Sequence, residues 1–158
     1  MIEHDHTHGK EQFKPNTTVA AVVHHDGKFL LVEERENGKT VFNQPAGHLE
    51  ANENLETAVK RELTEETGLS LSPHYISGIY YFHRPEFGLY FLRFSFVFEA
   101  SECFSTSPQD ADIVACHWLT LEEIKAKKAQ LRSSMVLDCI HDYLAGQKVP
   151  LSTIKSNL

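Results

Sequence analysis

Thiols are scarce in this chain: Cys103, Cys116 and Cys139 are its only cysteines, and no two form a CxxC pair. That argues against a disulfide framework or a zinc–thiolate site and suits a reducing compartment, so a cytoplasmic location is expected. Basic residues are also short, 15 Lys and Arg against 22 Asp and Glu, giving a formal net charge of -7. A protein that grips a nucleic-acid backbone needs a basic face, so that class is set aside. A small anionic ligand is not, because a bound cation can invert the local charge. No apolar run approaches the roughly 18 residues of a membrane span. The first residues, MIEHDHTHGKEQ, lack the apolar centre of a signal peptide. They carry His4, His6 and His8, an alternation that can catch a transition metal; without a core pattern they read as a flexible polar tail over 1–12. No repeat and no Pro/Gly/Ser linker divides the rest, so 13–158 is taken as one domain.

What is present is mostly strand. TTVAAVVHH, then DG, then KFLLVEE is the pattern of a hairpin. VFNQPAGHLE reads as a short strand, a proline break and a glycine-containing loop. A helix is expected over 54–67, with Gly68 in the left-handed position after its end. HYISGIYYFHR and LYFLRFSFVFEA are aromatic, β-branched strands around an RPEFG loop, and IVACHWLTL is a last strand. Helices are expected over 122–128 and 133–144. Strands interleaved with few helices predict a mixed sheet covered by helices.

The helix over 54–67 carries the chemistry. Leu55, Ala58, Val59, Glu62, Glu65, Glu66 and Leu69 fall on one stripe, apolar at first and then acidic. Glu62, Glu65 and Glu66 stand three and four residues apart, so their carboxylates can meet on the face turned to the protein. Like charges held that close are unfavourable, and desolvating them adds to the cost. A hard divalent cation, which takes oxygen ligands, would resolve this. A solvated, frayed helix end is the other reading of the spacing alone.

Gly47, Glu53, Arg61-Glu62-Leu63, Glu65-Glu66 and Gly68-Leu69 stand in the order and spacing of the Nudix box, and the chain resembles Nudix hydrolases. The polar and glycine identities alone, at roughly 1 in 15 each, give a chance match of about 10⁻⁸ per window. The resemblance implies an α/β/α sandwich on a mixed β-sheet. It implies hydrolysis of phosphoric anhydride bonds in nucleoside diphosphates linked to another group, with Mg²⁺, or alternatively Mn²⁺, as cofactor. It makes Glu62, Glu65 and Glu66 metal ligands, joined by the Gly47 carbonyl. Glu53 and Arg61 become a structural pair, Arg61 facing away from the glutamate stripe, with phosphate binding as its alternative role. The base that takes a proton from the attacking water is Glu65 or Glu62, or an acid on a later loop, for which Asp112 and Glu86 are candidates.

Beyond the box, FKPNTTVAAVVHHDGKFLLVEE, NGKTVFNQPAGHLEANENL and LRSSMVLDCIHDYLAGQKVPL are similar to a bacterial phosphatase branch of the family, over nearly all of 13–154. That implies release of inorganic phosphate from nucleoside tri- and diphosphates, thiamine diphosphate and hydroxymethylpyrimidine diphosphate, by a monomer or homodimer. Three residues are substrate-binding candidates. Gln44 can bond a base or pyrimidine ring, or be a loop amide satisfied by backbone. Arg132, before a helix that Ser133 or Ser134 could cap, suits a phosphate. His48 stands next to the metal-site glycine. Tyr80, Tyr81, Phe82, Phe87 and Tyr90 are expected mainly as core or edge packing, with base stacking as the sharper role. Two other readings stay open: a narrower pyrophosphohydrolase for ADP-ribose, oxidised dGTP or a dinucleoside polyphosphate, toward which PAG at 45–47 hints, and a non-catalytic nucleotide sensor.

Overall fold

The computed structural model describes residues 12–158. His4, His6 and His8 lie outside the described residues, as does nearly all of the expected tail.

Strands β1 (Asn16–His25) and β2 (Lys28–Glu36) are joined at Asp26 and Gly27, whose φ angles of 45° and 77° suit a tight hairpin turn. They pair only through His24 with Phe29 and His25 with Lys28, and then part. β1 continues between β4 (Ala46–His48), antiparallel, and β6 (Leu89–Glu99), parallel. β2 continues beside β3 (Lys39–Asn43) and β7 (Ile113–Thr120), both antiparallel. β5 (Tyr75–Arg84) pairs with the far edge of β6 and ends this mixed sheet.

Successive residues of β1 serve opposite faces. Val19, Ala21 and Val23 pack with Ala58, Val59 and Leu63 of helix α1 (Leu55–Thr67), while Val22 packs with Val136, Cys139 and Ile140 of a later helix (Met135–Leu144). β6 divides likewise, Phe96 and Phe98 to the first core and Val97 to the second. Burial on both faces is why these strands read as continuous apolar runs. The architecture is the expected α/β/α sandwich.

Asn54 caps α1 by accepting the Thr57 N–H at 2.8 Å, and Gly68, at φ 78°, closes it with an N–H to the Thr64 carbonyl at 2.8 Å. Only glycine fits position 68, since a Cβ there would also lie 2.5 Å from the Ser107 carbonyl oxygen. The helix expected over 122–128 is shorter: α2 spans Leu121–Ala126, capped by Thr120 and Glu123, and a 3₁₀ turn follows over Lys128–Gln130. The helix expected over 133–144 is α3, which begins only at Met135. Ser134 makes no side-chain capping bond, and the Ser133 hydroxyl accepts the Met135 N–H at 3.2 Å. Among the described residues no helix is long and apolar enough to cross a membrane.

Candidate active site

Where β1 and β2 part, a cavity of about 180 Å³ opens between Thr18 of β1, Glu34 of β2, Asn43 of β3, Gly47 of β4 and Glu66 of α1. Glu66 is 5% exposed and accepts the Ala46 N–H at 2.8 Å. Burial pushes its pKa up to about 8; the Ala46 N–H opposes this, and the charges of Glu34, Glu62 and Asp110 add to it. Glu62 is half-buried, its carboxylate packed so closely on Gly47 that any side chain at 47 would collide with it. Burial raises the Glu62 pKa too, against the pull of Arg61. Glu65 differs from its expected place. The buried face of α1 runs through Ala58, Val59, Leu63, Glu66 and Thr67, which leaves Glu65 off that face with a side chain 46% exposed.

Arg61 does not face away from the glutamates. Its Nε and Nη2 donate to the two oxygens of Glu53 at 2.9 and 2.7 Å, and Nη2 also reaches the His48 carbonyl at 3.0 Å. Its Nη1 turns to Glu62 at 2.8 Å and to Glu65 at 3.4 Å. The long arginine stem covers a distance that its helical position alone does not suggest. Hydrogen bonding to Arg61 holds the Glu53 carboxyl below the usual range, and Glu53 in turn pushes the guanidinium further up.

Among the described residues no three His, Cys, Asp or Glu side chains converge as a ready metal cage. Arg61 supplies the positive charge between Glu62 and Glu65 instead. The donor set still fits a hard divalent ion. It is all oxygen, and its most buried member is raised in pKa by burial first and by neighbouring carboxylates second, a cost that a cation would relieve.

The other candidates are scattered. Gln44 is 3% exposed and lies beneath the cavity rather than in it. Its Nε2 donates to the Ala21 carbonyl and its Oε1 accepts from Arg93, both at 3.3 Å, so each end of the amide is engaged inside the protein. Arg132 does line the cavity, but precedes α3 without opening it. Its guanidinium donates to Glu34 at 2.9 Å and lies 3.7 Å from Glu36. His48 is exposed at the cavity mouth. Asp112 is exposed, whereas Asp110 is half-buried and acts on Glu66. Glu86 is bonded to Arg84 at 3.1 Å on the outer hairpin. Of the aromatics, Tyr80 donates to Asp142, Tyr81, Phe87 and Tyr90 are exposed, and Phe82 lines the cavity with its cross-strand partner Phe91.

Sequence reasoning missed Glu34, Asp110, Asn43, Arg93 and Thr18. Glu34 is raised in pKa by burial, against the pull of Arg132. No local pattern marks these residues; strand pairing brings Thr18, Glu34, Asn43 and Arg93 together, and the loop before β7 brings Asp110.

A family profile described as the NUDIX domain matches residues 14–139. The chain is 49% identical over 142 residues to Phosphatase NudJ of Shigella boydii serotype 4 (strain Sb227), covering 90% of this chain and 92% of that protein. A solved NUDIX hydrolase from Nitrosomonas europaea aligns with a TM-score of 0.85 at 42% identity, over 91% of this chain and 98% of its own. A bifunctional NMN adenylyltransferase/ADP ribose pyrophosphatase from Francisella tularensis, solved with AMP and a manganese ion, aligns at 25% identity and a TM-score of 0.65, over 87% of this chain and 43% of its own.

Proposed function

The chain belongs to the Nudix family of hydrolases, which act on phosphoric anhydride bonds, and from that premise we propose a Mg²⁺-dependent phosphohydrolase releasing phosphate from nucleoside tri- and diphosphates and thiamine-type pyrimidine diphosphates. The observation that carries this reading is the crowding around Glu66, which lines the cavity with Glu34 and feels the charges of Glu34, Glu62 and Asp110, while Arg84, Arg93 and Arg132 line the same cavity. Glu62, Glu65 and Glu66, with the Gly47 carbonyl, are the groups that would hold Mg²⁺. When bound, the ion supplies charge that offsets the phosphate oxygens and acidifies water. In this reading Glu65, the most open of the three, would accept a proton from water, and Arg132, which lines the cavity, would take a phosphate oxygen. Asp112 stands as the alternative acceptor. Retention of all four box glutamates favours catalysis over nucleotide sensing. The same reading makes this a cytoplasmic enzyme of small molecules.

The test is phosphate release with and without Mg²⁺ from ATP, GTP, GDP, thiamine diphosphate, hydroxymethylpyrimidine diphosphate and ADP-ribose. Direct phosphate from several nucleotides and the pyrimidine diphosphate is expected. Cleavage of ADP-ribose alone would move the enzyme to the sugar-nucleotide class, and no metal-dependent cleavage would leave a sensor.

A further inference from the structure

The cavity opens onto a second groove through a pair of arginines. Arg84, at the end of β5, and Arg132, before α3, line the active-site cavity, and both also line an outer groove of about 270 Å³ with Glu36, Lys39, Val41 and Leu131. The two guanidiniums are thus shared by the inner cavity and the outer groove. Lys39 is set there by local structure. Asn37 and Gly38, with φ angles of 52° and 77°, form the turn between β2 and β3, and the register puts Lys39 directly across from Glu36.

The donors of this cluster are only partly used. A guanidinium has more N–H groups than one carboxylate bond engages. Arg132 donates from Nη1 to Glu34 at 2.9 Å, and Arg84 donates from Nε to Glu86 at 3.1 Å. Neither makes another side-chain hydrogen bond among the described residues. Arg84 is not simply solvated: its side chain is 17% exposed, and its Cζ lies 4.6 Å from the centre of the Phe87 ring. Lys39, exposed in the same groove, forms no ion pair among the described residues.

Glu36 lies between the arginines, 3.7 Å from Arg132 Nε and 4.0 Å from Arg84 Nη2. Those distances attract by charge but are too long for hydrogen bonds. Glu34 and Glu86 each offset one arginine, and only Glu36 is near both. One carboxylate cannot bond both guanidiniums and the ammonium at once. A phosphate group, with more acceptor oxygens and more charge, can. A neutral ring would leave these donors unused, and a cation would be repelled by them.

We infer that Lys39, Arg84 and Arg132 form an outer anion site that takes a phosphate group, with Glu36 as the internal anion it displaces. Its use rests on the phosphohydrolase reading, because that reaction supplies phosphate both as part of the substrate and as product. Glu36 touches no reacting atom; it holds the arginines as a pair and competes for them.

The test is calorimetric titration of inorganic phosphate into the metal-free chain, in chelator at low ionic strength, where screening is least. Lys39→Gln should weaken binding roughly fivefold, and Glu36→Gln should tighten it roughly threefold. Lys155→Gln, an equal change of charge at a residue lining neither cavity, should leave it unchanged. Opposite shifts from two cross-strand partners exclude a shared loss of fold. KM values for GTP and GDP with Mg²⁺ then separate the two sources of the anion. A GTP KM raised more than the GDP KM in Lys39→Gln assigns the site to the substrate's phosphate chain. An unchanged KM ratio with weakened free phosphate assigns it to the released product. No effect of Lys39→Gln on either measurement, or weaker phosphate binding in Glu36→Gln, would overturn the proposal. Failure of the hydrolase reading looks different: the titration pattern would persist while no substrate turned over.

Discussion

On the α1 face of the sheet, the apolar stripe of Ala58 and Val59 runs out into Glu62 and Glu66; on the α3 face, the column of Val22 and Val97 runs out into Thr18 and Arg93. Both cores turn polar at the same cavity, but with opposite chemistry. The α1 end holds more negative charge than it can neutralise alone. On the α3 side three buried atoms, Thr18 Oγ1, Asn43 Oδ1 and Arg93 Nε, have no hydrogen-bond partner among the described residues. The two sides are unlike in charge, so variants on each should behave differently.

The sharpest break comes from the acidic side. If the proposed metal site is right, Glu62→Gln, Glu65→Gln or Glu66→Gln should lower kcat on the order of 10³-fold with the far-UV circular dichroism unchanged, because each would remove a charge that holds the ion. Activity surviving in Glu62→Gln would sink the assignment of this end as the chemical one. A pH series tests the same crowding without turnover. The Glu66 pKa is near 8 in the fold against an ordinary 4.5, so the metal-free fold favours the protonated acid. Its contribution is fully present below about pH 4.5 and is lost as pH rises through about 8, at most on the order of 5 kcal/mol. In chelator, Tm should fall between pH 5.5 and 9. Glu66→Gln should flatten the curve, and a divalent cation should restore the wild-type Tm at the alkaline end. A flat wild-type curve would show that Glu66 is not crowded.

These two ends were unequally legible. The acidic end is written within one helix, where spacings of three and four residues say which side chains meet, so Glu62 and Glu66 could be placed before any fold was known. The hairpin at Asp26-Gly27 and the αL cap at Gly68 were legible for the same reason, since a local backbone demand selects the residue. Thr18, Asn43 and Arg93 come from three strands whose register is not encoded locally; Thr18 and Arg93 are 75 residues apart in sequence and adjacent in space. Gln44 was singled out for its place beside the box, yet that place puts it under the cavity, one residue beyond the side chain that lines it. Arg61 misled through its reach, which helix periodicity does not describe.

Arg61 gives the next effect in size, and it separates fold from chemistry at the acidic end. Arg61→Met leaves Glu53 and Glu62 without their shared cation. Loss of one partner from a fully buried pair costs about 3–5 kcal/mol. Because the Arg61 side chain is 22% exposed and Glu53 12%, a loss of about 2–3 kcal/mol in urea unfolding is expected. A loss of kcat with unchanged stability would instead favour Arg61 as a phosphate ligand.

The smallest effect concerns the loop between β6 and β7, where the acids two residues apart have different surroundings. The N–H groups of Gln109 and Asp110 both donate to the Glu65 carbonyl at 2.9 Å, which fixes the loop to the end of α1. The Asp110 carboxylate accepts the Asp112 N–H at 2.9 Å, and its charge acts on both Glu34 and Glu66. Asp112 is exposed and acts only weakly, on Glu34. Asp110→Asn keeps the oxygen that holds the loop and removes only the charge, so a fall of about fivefold in kcat/KM, roughly 1 kcal/mol, is expected. Asp112→Asn should stay within about twofold, the range of an exposed charge. If Asp112→Asn were the more damaging of the two, the loop would have to close on the substrate, and the general base would belong to Asp112 rather than to Glu65.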